Sequence, residues 1–448
     1  MAAAHSRHPP MPLTPSPLTP GRAIREDSER VTTECPRPDD SILFWLCFKK
    51  HDCLNLVLLV AITGCSVAHA DTITWDGNGS NGTNAWISTT NWNPDSTSRT
   101  GGAPTALDIA EFAGSGLSQS IRINFNGTTN NGAAAQAVGQ ILQSGGASRT
   151  IGSSTNTVDG TLTIMGVGGT LISNTSAHHL TLASTVSGAT KLMQVQFGSA
   201  GDIYVGGAGL VTISSVIGGT HGFTKSGSGT MVLTGANSYV GDTTVNAGVL
   251  QIGADGVGTT GIGTLEVANG ATIFGSGTVR GNASTTHSVA GTVRPGDPSG
   301  GIMPLADLKV EGILAFTPVS STFFEIGNPS SASDRITGTT PGTTATLDGT
   351  ITVDFAGYTP VGGESWQLFD WATLVTTSFN IGSTMRTGAN GAEEGDLNLP
   401  DVSSLSLLWN VSSFASTGTI SLNVVPEPGR VSLTMWGLGG LMWRRRRK

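Results

Sequence analysis

Few residues of this 448-residue chain have the type and spacing to do chemistry. Cleaving a glycosidic bond takes two carboxyl groups held roughly 5–10 Å apart. The densest acidic run, Glu393-Glu394-Gly395-Asp396, sits among Gly and Asn and reads as a solvated loop. "DGNGSNGT" from Asp76 imitates the start of a calcium loop. Its twelfth position is Ile87, where a bidentate Glu is required, and its sixth is Asn81 instead of Gly, so it reads as a turn. His178-His179 lacks a third ligand at a regular spacing, and His221-Gly222 is remote from candidate acids. A lyase needs a basic residue beside its acids, yet Lys191, Lys225 and Lys309 are the lysines between residues 71 and 423. No catalytic residue, metal site or cofactor is expected. A β-helical polysaccharide lyase or hydrolase is the enzymatic alternative.

The two ends carry a different chemistry, that of processing. Lys49-Lys50-His51 precedes the apolar stretch Leu54–Ile62, and Ala68-His69-Ala70 follows as a small-x-small cleavage pattern. Residues 49–70 are therefore expected to be a signal peptide, cut after Ala70. Ile62-Thr63-Gly64-Cys65 offers a second outcome, lipidation of Cys65. Residues 1–48 are Pro-rich and mixed in charge, a composition that builds no core; a non-structural extension, from a start assigned too far upstream, is expected. At the other end, Pro426 and Pro428 keep Pro426-Glu427-Pro428 extended and unpaired. Val431 to Trp443 is uncharged and spans roughly 20 Å as a helix, short of the ~30 Å bilayer core. Arg444, Arg445, Arg446, Arg447 and Lys448 would stop it on the cytoplasmic side.

Composition narrows the partners. Between Asp71 and Asn423 there are 10 Lys and Arg against 23 Asp and Glu, a balance of −13, which argues against nucleic acid. All four cysteines (Cys35, Cys47, Cys53, Cys65) precede Asp71, so the processed chain would have no disulfide to staple it. Its stability must come from burial and backbone pairing.

The elements that would supply such pairing are short. "GTLTIMG", "HLTLAST", "LVTISSVIG", "TMVLTG", "VLQIG" and "GTITVDFAGY" are β-branched runs of about 4–6 residues bounded by Gly or Asn. "AAAQAVGQILQ" (Ala133 to Gln143) is one short helical candidate. In "GGTHGFTKSGSGTMVLTGANSYVGDTTVNAGVLQIG" (218–253), Met231 and Leu233 share one strand face and Val232 and Thr234 the other; Leu250 and Ile252 share a face in the next strand. Val232, Leu233, Val245, Leu250 and Ile252 are taken as candidate core. Strands this short, joined by small turns, suit the coils of a parallel β-solenoid.

Two families come to view on these residues. The stretch "TKSGSGTMVLTGANSYVGDTTVNAGVLQIG" closely resembles the autotransporter-associated β-strand repeat, also called the passenger-associated transport repeat. "TITWDGNGSNGTNAWISTTNW", with Trp75, Trp86 and Trp92, is similar to the usual start of such chains. The carboxyl-terminal stretch from Val425 to Lys448, with Val425-Pro426-Glu427-Pro428, the Gly-containing apolar run and the Arg cluster, resembles the PEP-CTERM sorting signal of Gram-negative bacteria, although Arg430 stands where members usually carry small or apolar residues. That second resemblance implies recognition of Pro426, Glu427 and Pro428 by an exosortase-like processing enzyme, transient insertion in the inner membrane, and a host that makes extracellular polysaccharide.

The expected protein is all-β: a right-handed parallel β-helix over 71–320, a β-rich cap over 321–423 built around Trp366, Phe369 and Trp371, and a short sorting helix within 425–448. Its expected role is non-enzymatic, structural or adhesive, at the cell surface or in the extracellular matrix; a carbohydrate-binding adhesin using exposed Trp and Asn is a further alternative.

Overall fold

The computed structural model describes residues 70–75, 86, 92–94, 103–115, 118–123, 135–153, 158–186, 191–254, 256–296, 305–328, 332–388 and 395–425. The expected signal peptide up to His69 and the tail from Pro426 lie outside them, and with the tail the expected sorting helix. The regular structure of the described residues is almost all strand, joined by turns, with one helical turn at Phe414–Thr417 and a 3-10 turn at Ser403–Leu405.

The strands stack into a parallel β-helix. One wall has 13 strands, parallel throughout except for Trp92–Pro94, which closes its first edge antiparallel to Thr72–Trp75. A second wall has 11 strands, from Gln119–Ile123 to Leu397–Asn398. Alternation sets this arrangement: in Thr230–Leu233, Met231 and Leu233 are buried, while Thr230 and Val232 face out. In the next rung Leu250 and Ile252 lie directly beside them, so inward side chains form apolar ladders along the axis. Val245, Leu250, Ile252 and Leu233 are in the core. Val232 is not: it points outward between Thr212 and Gln251, because Met231 and Leu233 already occupy the inward face of a strand whose period is two.

The coils come in two sizes. The early coils are long: on the second wall, Gln119 lies opposite Arg149 and His179 opposite Leu210. From Leu210 onward the steps shorten, pairing Leu210 with Thr230, Thr230 with Val249, Val249 with Thr272 and Thr272 with Thr292. They lengthen again from Thr292 to Ser321 and from Ser321 to Thr350. A third wall runs mainly through the longer coils, Ala135–Val138 through Val216–Gly218 in the first half and Thr278–Val279 through Phe369–Asp370 in the second, with Val216–Gly218 and Thr278–Val279 as its edges in the first and last short coils. Between them the short coils keep that wall alive through single bonds, Ser238 N–H to Ile217 O and Ile262 N–H to Tyr239 O.

Ala135–Val138 and Gln140–Gln143 are strands, not the helix their composition allows. Gly139 turns the chain between two walls there, where an added Cβ would collide with the Asp108 and Leu107 backbone. Val138 and Ile141 bury themselves on either side, so packing overrides helix propensity. The corner at Gly248 needs glycine for two reasons: its φ is +67°, and a Cβ would strike the carbonyl of Gly227 in the coil below.

Parallel rungs continue past residue 320, as far as Thr373–Val375 and Leu397–Asn398. An antiparallel sheet is interleaved with these last rungs in the chain, formed by Ser365–Gln367, Thr419–Val424, Leu407–Asn410 and Met385–Arg386. Trp366 belongs to it, whereas Phe369 sits on the third parallel wall. Aromatic clusters close the stack. Trp75, Trp86, Trp92 and Phe112 pack together early in the chain, with Trp75 and Trp86 edge-on to Trp92 at 4.9 and 5.0 Å. Late in the chain, Phe355 stacks on Trp409 at 5.8 Å and Trp366 lies 5.9 Å from the same ring.

Candidate functional site

A solenoid wall displays side chains in columns, because outward positions of successive rungs lie side by side. On the outer face of the second wall, one column reads His179, Leu210, Thr230, Val249, Thr272, Thr292. The column beside it reads Val232, Gln251, Phe274, Arg294. Phe323 follows, with the Arg294 guanidinium 4.5 Å from its ring centroid. These two columns line an open groove of about 780 Å³ running along the helix axis. Phe274 faces outward yet is only 6% exposed, so it forms part of the groove floor. No carboxylate is among the described residues that line it. Glu325 and Asp354 lie further along the same face on neighbouring rungs. Burial, and then the Asp354 charge, raise the Glu325 carboxyl above its usual range, while Arg294 opposes that shift.

Polar groups inside the solenoid hold corners. Lys225, which the sequence marks only as one of few lysines, is fully buried and donates to the carbonyls of Ser226, Gly227 and Ala247 at 2.8, 2.8 and 3.0 Å. Desolvation pulls its pKa down to about 8, partly offset by Asp202. Gln143 and Asn174 do equivalent work three and two coils earlier, donating to Gly145 and Ala147, and to His178 and Leu210. His287 is buried and accepts the Leu265 N–H at Nδ1, leaving Nε2–H for the Glu311 carbonyl at 2.8 Å. That neutral form is the one its lowered pKa favours, burial being the main cause.

Acidic residues gather late in the chain. Asp334, 3% exposed, accepts the Ala306 N–H at 3.1 Å and the Glu325 N–H at 3.0 Å. Burial pushes its carboxyl up to about 7, with the charges of Glu325 and Asp307 adding to the effect and the two N–H bonds opposing it. Arg335 pairs in bidentate fashion with Asp307 and lies 3.9 Å from Asp370. These contacts serve backbone and strand ends, which is a structural task.

The residues singled out in the sequence fare as follows. Ala70 is described, just before the first strand; Ala68, Cys65, Pro426, Glu427, Pro428 and Arg444, Arg445, Arg446, Arg447, Lys448 lie outside the described residues. So do Glu393 and Glu394, while Asp396 accepts the Asn380 N–H at 2.7 Å and so fastens a turn. Among the described residues no three His, Cys, Asp or Glu side chains are placed to hold a metal ion, and no helix is long and apolar enough to cross a membrane. The six described tryptophans (Trp75, Trp86, Trp92, Trp366, Trp371, Trp409) are all buried, which corrects the expectation of exposed Trp for glycan contact. Their rings close the ends and cover the core instead.

Comparison with known proteins places the repeat. Residues 223–252 match the passenger-associated-transport-repeat family. The match covers Phe223–Ser226, Thr230–Leu233, Thr243–Val245 and Val249–Ile252, which are two successive rungs on each long wall. The BmaC autotransporter adhesin of Brucella suis biovar 1 is 42% identical over 101 residues, covering 20% of this chain and 3% of that protein's length. No solved structure matches the chain. The short-coil segment of this β-helix is thus similar to a repeat found in transported passengers.

Proposed function

We propose that this is an exported, non-enzymatic protein with a structural or adhesive role at the cell surface or in an extracellular polysaccharide matrix. One observation carries the reading: the stretch that matches the transport repeat, Phe223 to Ile252, is folded as stacked coils of a long parallel β-helix. Its stability comes from buried apolar ladders and aromatic clusters, with no disulfide required. The similarity to part of an adhesin supports the same reading. Removal of residues 1–70 and recognition of Pro426-Glu427-Pro428 by an exosortase-type enzyme complete the route, with Arg444 to Lys448 holding the tail during transit.

Mass spectrometry of the protein recovered from intact cells tests the route. A surface-recovered chain beginning at Asp71 and ending near Pro428 is the expected result. A chain recovered with Arg447-Lys448 intact would overturn processing, and resistance to external protease on whole cells would overturn display.

A further inference from the structure

The groove on the second wall is patterned. Taken rung by rung, its two columns read Thr230 with Val232, Val249 with Gln251, Thr272 with Phe274, Thr292 with Arg294 and Ser321 with Phe323. Over the first three rungs each pair has one apolar and one polar member, and the sides exchange at every step. In the second column, apolar groups return on alternate rungs at Val232, Phe274 and Phe323, with Gln251 and Arg294 between them. Rungs lie about 4.8 Å apart, so the pattern repeats every ~9.6 Å along the axis.

We infer that this groove binds an uncharged, extended glycan, running parallel to the solenoid axis, whose successive sugars are flipped relative to one another. In such a chain the hydroxyl-bearing and C–H-bearing edges exchange sides at each sugar, and two sugars have about the length of two rungs. Hydroxyls of Thr230, Thr272 and Thr292 and the amide of Gln251 meet sugar hydroxyls, while Val232 and Phe274 meet C–H faces and Phe323, with Arg294 stacked on it, bounds the far end of the groove. An extended peptide fits the spacing poorly, since its side chains repeat every ~6.8 Å.

Charge selects against anionic glycans. The body of the protein is acidic, with 10 Lys and Arg against 23 Asp and Glu between Asp71 and Asn423. The only full cation among the described residues lining the groove, Arg294, is seated on Phe323 with Glu325 and Asp354 close by on the same face. The flanking carboxylates and the acidic body therefore oppose a polyuronate and offset the pull of Arg294, whereas a neutral chain meets no such opposition. This inference rests on the adhesive reading above and assigns it a ligand class and a place.

The test uses the protein as recovered after export and defined hexasaccharides: cellohexaose, β-1,4-mannohexaose and xylohexaose as neutral probes, and a guluronate hexamer as the charged one. Titration calorimetry is expected to show binding of at least one neutral hexamer, little changed by salt and weaker for its trimer. Gln251→Ala and Phe323→Ala should each weaken it at least tenfold, and Thr272→Arg, which fills the groove from outside, should abolish it at unchanged melting temperature. Thr244→Arg, on the outer face of the first wall, should leave it intact. Failure of every neutral probe, binding by the guluronate hexamer alone, or equal affinity in the groove variants would overturn the assignment. Protease accessibility on whole cells reads display separately, so a surface-exposed protein that binds no neutral probe sinks the groove and spares the adhesive reading.

Discussion

Lys225 is the most demanding single residue in the solenoid. A buried ammonium is costly, and it persists because three carbonyls of two consecutive corners point at it. Lys225→Met keeps the length and apolar stem but leaves those carbonyls unpaired in a place water cannot reach. A loss of about 3 kcal/mol in urea unfolding is expected; an unchanged midpoint would show that water replaces the ammonium. Asp334 provides a second residue-scale expectation. Its carboxyl is raised to about 7, so the folded chain holds a proton that the unfolded chain, near 3.9, has released. Its contribution to stability is present in full below that lower value and is lost as pH rises toward 7, by roughly 2–4 kcal/mol in all. His287 works in the opposite sense: its lowered pKa makes it cost stability as pH falls below about 6.5. Calorimetry at pH 5 and pH 8 should therefore show Asp334→Asn losing the alkaline penalty while the acid-side loss remains. An identical pH dependence in the variant would count against the assignment to Asp334.

At the scale of the strand, burial depends on parity. Leu250 is inward and fully buried, so Leu250→Ala should cost about 2–5 kcal/mol by leaving a gap between Met231 and Ile273. Val232, one rung away but outward, should cost under about 1 kcal/mol when cut to Ala. Equal losses would mean that the two faces are not distinguished. This contrast also marks how far the sequence can be read. Alternation in "TMVLTG" and "VLQIG" shows which residues share a face, and the short β-branched runs show that the class is all-β. Nothing in alternation says which face is inward when both carry an apolar residue, as Met231 and Val232 do. Corner residues are harder still: Gln143, Asn174 and Lys225 look like surface residues because their partners are backbone carbonyls, which have no sequence signature. The groove was equally hidden, since its lining is drawn from rungs far apart in the chain, from His179 to Phe323. The third wall and the boundary of the parallel rungs depend on coil length, which the Gly- and Thr-rich connections do not display.

For the whole molecule, stacked coils imply near-modular tolerance. Phe223 lies opposite Thr243, and Thr230 opposite Val249, so residues 223–242 make up one full short coil. Excising them should bring Gly201–Val205 against Thr243–Val245 and Leu210–Ile213 against Val249–Ile252, with every rung still paired. The expected product keeps a β-type circular dichroism spectrum and unfolds cooperatively at a lower temperature. Excising only 223–232 breaks the register of both walls and should give an insoluble chain. If the full-coil deletion aggregates as readily as the half-coil one, the coils are not independent units.

The two coil sizes have a mechanical meaning. In a β-helix the backbone bonds between rungs lie along the axis, so tension applied end to end strains them one rung at a time, as in opening a zip. Each short coil released adds about 20 residues of slack, roughly 70 Å of contour, and each long coil of about 30 residues adds roughly 100 Å. A body pulled from its ends would lengthen in steps, larger near the ends and smaller in the middle, absorbing a sudden load as extension instead of passing it to whatever holds it.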